Sequence, residues 1–231
     1  MNLSLDWTVL PDALQQEGQR IRQQGMGFSL ALLIVSLLGG LALGTALALM
    51  RLSSNRLVSA LAGAYVTVFR SIPLVLAIFW FYLLVPTVIE AVRGVHTPIG
   101  PMYSAFIAFV FFEAAYFCEV IRAGILSVRR GQTSAALALG LTRVQTMRHI
   151  ILPQALRTMM PLILTKAIII FQDTSLVYVI SVSDFLGAAT KIGQRDSRLI
   201  ELYLFAGAVY FVMCFAASKF VEARTGRKVA A

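Results

Sequence analysis

Apolar residues fall into five long blocks separated by short polar stretches, at residues 26–50, 57–85, 102–126, 159–181 and 200–221. About 20 apolar residues in a helix cross the hydrocarbon of a bilayer. The blocks are continuous rather than alternating, so they predict helices and exclude a transmembrane barrel. The expected fold is all-α: a polytopic membrane protein with five transmembrane helices. Residues 86–101 and 182–199 read as connectors, and 223–231 as a basic tail. Residues 1–25 carry Asp6, Asp12 and Glu17, which argues against a cleaved signal peptide. Leu10, Leu14 and Ile21 share one face there, and Pro11 suits a first turn, so a short interfacial helix or a loosely ordered tail is expected.

Three interruptions carry more information than the blocks. Phe69-Arg-Ser-Ile-Pro73 breaks the second block. Pro73 removes a backbone donor and kinks or ends the helix, so the gap faces protein interior or water rather than lipid. Gly40 and Gly44 in the first block form a small-xxx-small pair that permits close helix approach. The longest interruption is residues 127–158. A helical run of small and apolar residues, Ser134 to Leu139, stops at Gly140, a common helix terminator. A second short helix is expected over 143–150, and Leu152-Pro153 is expected to reset the chain before the fourth span.

Composition and charge fix the class and the orientation. Of 231 residues, 58% are hydrophobic and 13% charged, against about 25% charged in a soluble domain. The net charge of +9 would suggest nucleic acid in a soluble protein. Here the basic residues flank membrane spans, so topology explains them and no nucleic acid is implied. Arg51, Arg56, Arg129, Arg130, Arg143, Arg148, Arg157, Lys219, Arg224, Arg227 and Lys228 fall on one side, and fewer basic residues on the other. The first side is expected to be cytoplasmic, with the N-terminus periplasmic and the C-terminus cytoplasmic. Cys118 and Cys214 lie in apolar blocks without ligand spacing and read as packing residues, and His149 reads as a surface residue. There is no GxxxxGK[ST] phosphate loop and no cluster of metal ligands. No metal, nucleotide or other cofactor is therefore expected on this chain.

Charges inside spans are costly and mostly face a bundle interior or a cavity. Glu119 and Arg122 share a helix face and are expected to form a structural ion pair. Arg70, Ser71, Pro73, Glu113, Asp173, Thr174 and Ser175 are the candidates for lining a substrate path. Glu113 or Asp173 would contact an ammonium group, and Arg70 a carboxylate. A buried polar network that holds the bundle together is the other reading of the same residues. Phe79-Trp-Phe-Tyr82 reads as packing. No internal repeat is evident, which argues against a stand-alone secondary carrier.

Gly131-Gln-Thr-Ser-Ala-Ala-Leu-Ala-Leu-Gly140, followed by Ile151-Leu-Pro-Gln-Ala155, resembles the EAA loop of permease subunits in bacterial ABC importers. Phe69-Arg-Ser-Ile-Pro-Leu74, Glu113-Ala-Ala-Tyr116, Glu119-Val-Ile-Arg-Ala-Gly124 and Gln172-Asp-Thr-Ser-Leu176 extend the resemblance along nearly the whole chain, to the polar amino acid permease family. The resemblance implies a type I ABC importer transmembrane fold over 26–222 in a bacterial inner membrane. It further implies a permease that is not itself an enzyme, with ATP and Mg bound by a homodimeric ATPase. Gly131, Ser134, Ala135, Ala136, Leu139, Gly140, Arg143 and Pro153 would couple to that ATPase. A second permease subunit (a heterodimer rather than a homodimer) and a periplasmic amino-acid-binding protein would complete the assembly. Glutamate and aspartate are the expected substrates, with glutamine, arginine or histidine as alternatives; an ion-coupled carrier and a membrane enzyme are the competing classes. One position departs from the family pattern: Ser134 stands where a Glu is usual, which removes a carboxylate that could pair with a base on the ATPase.

Overall fold

The computed structural model describes residues 25–94 and 98–226. The described residues form eight helical elements and no strand. They are α1 (Gly27–Arg51), α2 (Arg56–Arg70), α3 (Leu74–Arg93), α4 (Pro101–Leu126), α5 (Arg130–Ala138), α6 (Arg143–Ile180), α7 (Phe185–Arg195) and α8 (Leu199–Thr225). Five of them, α1, α3, α4, α6 and α8, are long and apolar enough to cross a membrane. The interfacial helix expected before residue 25 lies outside the described residues.

The core is built around α4, whose buried residues include Ala105, Ala108, Phe109, Phe117 and Cys118. Its most extensive partner is α1. Glycines let the two backbones meet: a Cβ on Gly44 would lie 2.8 Å from Phe117 Cβ and 2.9 Å from the Ala114 carbonyl oxygen, and one on Gly40 would lie 3.0 Å from Glu113 Cβ. The small-xxx-small reading of this pair therefore describes the α1–α4 contact. Tyr65 ties α2 to α4 by donating to the Phe111 carbonyl at 2.7 Å.

Several expected boundaries change. The second block is two helices: α2 ends at Arg70, and Pro73 in extended conformation (φ −66°, ψ 145°) caps α3. The span is α3, which continues through Pro86 to Arg93, where a connector was expected. The proline is absorbed by a π-helical turn, Trp80–Leu84. Here the Val85 N–H reaches the Trp80 carbonyl, and the Thr87 hydroxyl donates to the Leu83 carbonyl at 2.7 Å. Pro153 does not reset the chain either. The same device precedes it: a π-turn over Met147–Ile151, with the Gln154 side-chain amide donating to the Ile150 carbonyl at 2.9 Å. The fourth span is thus one long helix, Arg143–Ile180, that changes to 3-10 geometry at Thr174. The expected connector at 182–199 contains α7, which packs Phe185, Ala189 and Ile192 against Leu202 and Ala206 of α8. At the far end α8 runs to Thr225, three residues into the expected tail.

Candidate functional site

Two places in the fold collect the polar residues singled out above. The first is a charged cluster around one fully buried carboxylate at mid-span. Gly40 makes room for Glu113, which is completely buried on α4. Opposite it, Lys166 of α6 brings Nζ to 3.1 Å from Glu113 Oε1. The approach is outside hydrogen-bond geometry, so neither carboxylate oxygen has a hydrogen-bond partner among the described residues. Lys166 Nζ also lies 4.5 Å from the ring centre of Tyr116, one turn along α4 from Glu113. Arg70, the last residue of α2, sits 5.6 Å from the same ring. One aromatic face system therefore holds two cations, an attraction worth about 0.5–2 kcal/mol per contact. Arg70 has no carboxylate partner among the described residues.

The remaining pathway candidates have occupied hydroxyls. Ser71 donates to the Thr67 carbonyl at 2.7 Å, Thr174 to Phe171 at 2.7 Å and Ser175 to Gln172 at 2.8 Å. Thr174 and Ser175 mark the change from α to 3-10 geometry, so their donors support the backbone there. Asp173 lies two turns from Lys166 on α6, on the same face. Pro73 marks the α2–α3 break. Glu113 and Arg70 are thus brought together through Tyr116. Lys166 and Tyr116 were missed as members of this cluster. A lysine inside a span needs a counterion, which was the available signal for the first; nothing in the sequence identified the second.

Glu119, six residues on, is differently placed. Arg122 donates to Glu119 Oε2 from NH2 at 2.7 Å and from Nε at 3.1 Å, as the spacing predicted. Arg51, at the end of α1, adds a second ion pair at 3.2 Å to Oε1. At the opposite end of the bundle Asp184 is buried at the start of α7. It accepts from the Gly187 and Leu186 N–H groups at 2.8 and 3.1 Å, an N-cap. Burial pushes its carboxyl up to about 6.

The second place is the pair of short helices between α4 and the body of α6. α5 ends where expected, with Gly140 in the left-handed conformation (φ +82°) and its N–H bonded to the Leu137 carbonyl at 3.0 Å. The Leu141 N–H reaches Ala136 at 3.2 Å, completing a Schellman-type stop. Thr142 and Gln145 then form a capping box that starts α6. Ala136, Thr146 and Ile151 are buried. Gly131, Ser134, Ala135 and Arg143 are exposed, as is Pro153 beyond the π-turn. Leu139 is 81% and Val144 76% exposed at the turn itself, an apolar tip on a polar segment.

Five apolar spans, a charged cluster around a buried carboxylate and a helical projection between spans make this a multi-pass membrane protein. The chain matches the family described as binding-protein-dependent transport system inner membrane components over residues 40–228, and it belongs to that family. It is therefore an inner-membrane permease subunit, with ATP hydrolysis carried by a separate subunit. It is 53% identical over 200 residues to the glutamate/aspartate import permease protein GltK of Escherichia coli O6:H1, covering 86% of this chain and 89% of that one. It is 33% identical over 228 residues to the L-cystine transport system permease protein TcyB of Bacillus subtilis, covering 96% and 94%. Its fold matches a crystal structure of an amino acid ABC transporter with histidines, at TM-score 0.84 and 28% identity, covering 97% of this chain and all of that one.

Proposed function

We propose that this chain is the permease subunit of an ATP-driven importer for polar amino acids, with glutamate and aspartate as its main substrates. The observation that carries the substrate is the 53% identity to a glutamate/aspartate permease, well above the 33% to a cystine permease of similar length. The cluster supports it physically. Lys166 is neutralised by Glu113, while Arg70 is held at the same tyrosine without a carboxylate partner among the described residues. A substrate with two carboxylates and one ammonium would meet Arg70 and Lys166 with the former and Glu113 or Asp173 with the latter. Ser71, Pro73, Thr174 and Ser175 shape the helix breaks around that path.

The projection carrying Gly131, Ser134, Ala135, Ala136, Leu139, Gly140, Arg143 and Pro153 lies in the cytoplasm and docks in a groove of the ATPase, a helix-in-groove contact. Closure of the ATPase dimer moves the spans as rigid bodies and opens the path to one side at a time. The exposed apolar face of α8, with Leu204, Phe211, Val212 and Phe215, meets a second permease subunit, since five spans alone do not enclose a path. A periplasmic binding protein delivers the substrate on the other side.

The test is uptake in proteoliposomes holding the assembled complex. Glutamate should accumulate only with internal ATP and the binding protein; uptake that ignores ATP and follows an ion gradient would identify a carrier instead. Gly140→Leu, which forces a side chain into a left-handed position, should leave insertion intact and separate ATP hydrolysis from transport. Normal transport by that variant would remove the docking assignment.

A further inference from the structure

The projection is charged in one sense only. Between Val120 and Gln172 the chain has no Asp or Glu at all. Arg122 is taken up by Glu119 on its own helix. Arg129, Arg130, Arg143, Arg148 and Arg157 are exposed and have no carboxylate partner among the described residues.

Their positions run against local helix chemistry. Arg129 is the N-cap of α5 and Arg130 its first residue; Arg143 is the first residue of α6. Helix N-termini carry partial positive charge and favour acids, yet neither first turn holds an acid. The end of α5 and the start of α6 are held instead by the Schellman-type stop and by the Thr142–Gln145 capping box. The bias of basic residues to one side of the membrane accounts for arginines in this segment but not for their place at two helix N-termini, which points outward, to a partner.

The apolar tip points to the kind of partner. Val144 lies fifteen residues before Met159 on the continuous helix α6, about 22 Å along its axis at 1.5 Å per residue. Met159 packs on Gly124, next to the end of α4. The tip formed by Leu139 and Val144 thus lies at the far end of α6 from its contact with α4. Apolar side chains this exposed and ringed by arginines fit an apolar protein socket with a polar rim.

We infer that the groove receiving this projection is acidic: carboxylates on the ATPase surround an apolar socket for Leu139 and Val144 and pair with Arg130 and Arg143. This rests on the reading of the chain as an ATP-driven importer subunit.

The experiment uses the full-length chain in nanodiscs of neutral phosphatidylcholine and the ATPase subunit that co-purifies with it, with affinity measured from low to physiological salt. The double variant R130Q/R143Q should weaken binding roughly tenfold and flatten the salt dependence, and R130K/R143K should restore most of both. If the Gln variant binds as tightly as the parent while Leu139→Asp abolishes binding, the docking reading stands and the acidic groove is wrong. If Leu139→Asp also binds normally, the ATPase docks elsewhere and the importer reading of this projection falls with the inference. If the Gln variant loses affinity only in discs containing anionic phosphatidylglycerol, the arginines serve lipid headgroups and the inference is overturned.

Discussion

Two glutamates on α4, six residues apart, have opposite circumstances. Glu119 is partly exposed and oversupplied: Arg51 and Arg122 both reach it, at 3.2 and 2.7 Å, so α1 is stapled to α4. Glu113 is fully buried and undersupplied: among the described residues it has one lysine at 3.1 Å and no hydrogen bond to either oxygen. A fold that needs only rigidity satisfies its buried carboxylates first, because an unsatisfied buried charge is far costlier than an exposed one. Glu119 fits that expectation as a structural node. Glu113 does not, and a carboxylate left half-satisfied in a transport subunit is the one able to change partners.

The largest effect should come from removing the one ion-pair partner that Glu113 has among the described residues. Lys166→Met leaves a buried carboxylate uncompensated, a loss of about 3–5 kcal/mol, and should abolish folded protein in detergent. The double variant Glu113→Gln/Lys166→Met should fold again and transport poorly; if the double variant is as unstable as the single, the pair is not the coupling unit. Glu119→Gln should cost less, about 1–3 kcal/mol, because its arginines are partly solvated. It should lower thermal stability without altering substrate preference. A change of preference there would erase the contrast between the two positions.

Asp184 gives a smaller and pH-dependent effect. Its folded value of about 6 is above the unfolded value of about 3.9, so ionisation is disfavoured in the fold. Its protonated form stabilises below about pH 4, and that advantage is lost as pH rises through about 6. The melting temperature in detergent should therefore be higher at pH 5 than at pH 7.5. Asp184→Asn, which keeps the cap acceptor, should remove that slope, while Asp184→Ala should lower stability at both values by about 1 kcal/mol.

Much of the fold was legible in the sequence, and the misses have physical reasons. Block length sets the spans, α4 starts at Pro101, one residue before the expected block, Pro73 ends a helix, and Gly140 ends another with positive φ. Pro86 and Pro153 were misread because a proline is compatible with a continuing helix when a wider turn precedes it. That choice depends on tertiary contacts. α7 was missed because its 11 residues are too short and too polar for a span, although Phe185, Ala189 and Ile192 behind Asp184 already carried a helical apolar face. At the charged cluster, the residue types were evident, but which of Glu113, Asp173 and Lys166 would face one another depended on the rotation of α6 against α4. Arg51 lay at a helix end and looked like a topology signal, although it also completes the Glu119 node.

The π-turn at Met147–Ile151 has one more consequence. A π-turn is an α-helix with a single extra residue looped into it. Each residue advances an α-helix by about 100°. The extra residue therefore sets the angular phase between the projection and the span that it continues into. Deleting one residue there would replace the wide turn by a regular one and change the angular position of Leu139 and Val144 about the axis, with every side chain still in place. In that sense α6 works as a crankshaft whose throw is fixed by one residue, and Pro153, unable to donate within a regular turn, keeps that residue from being lost cheaply.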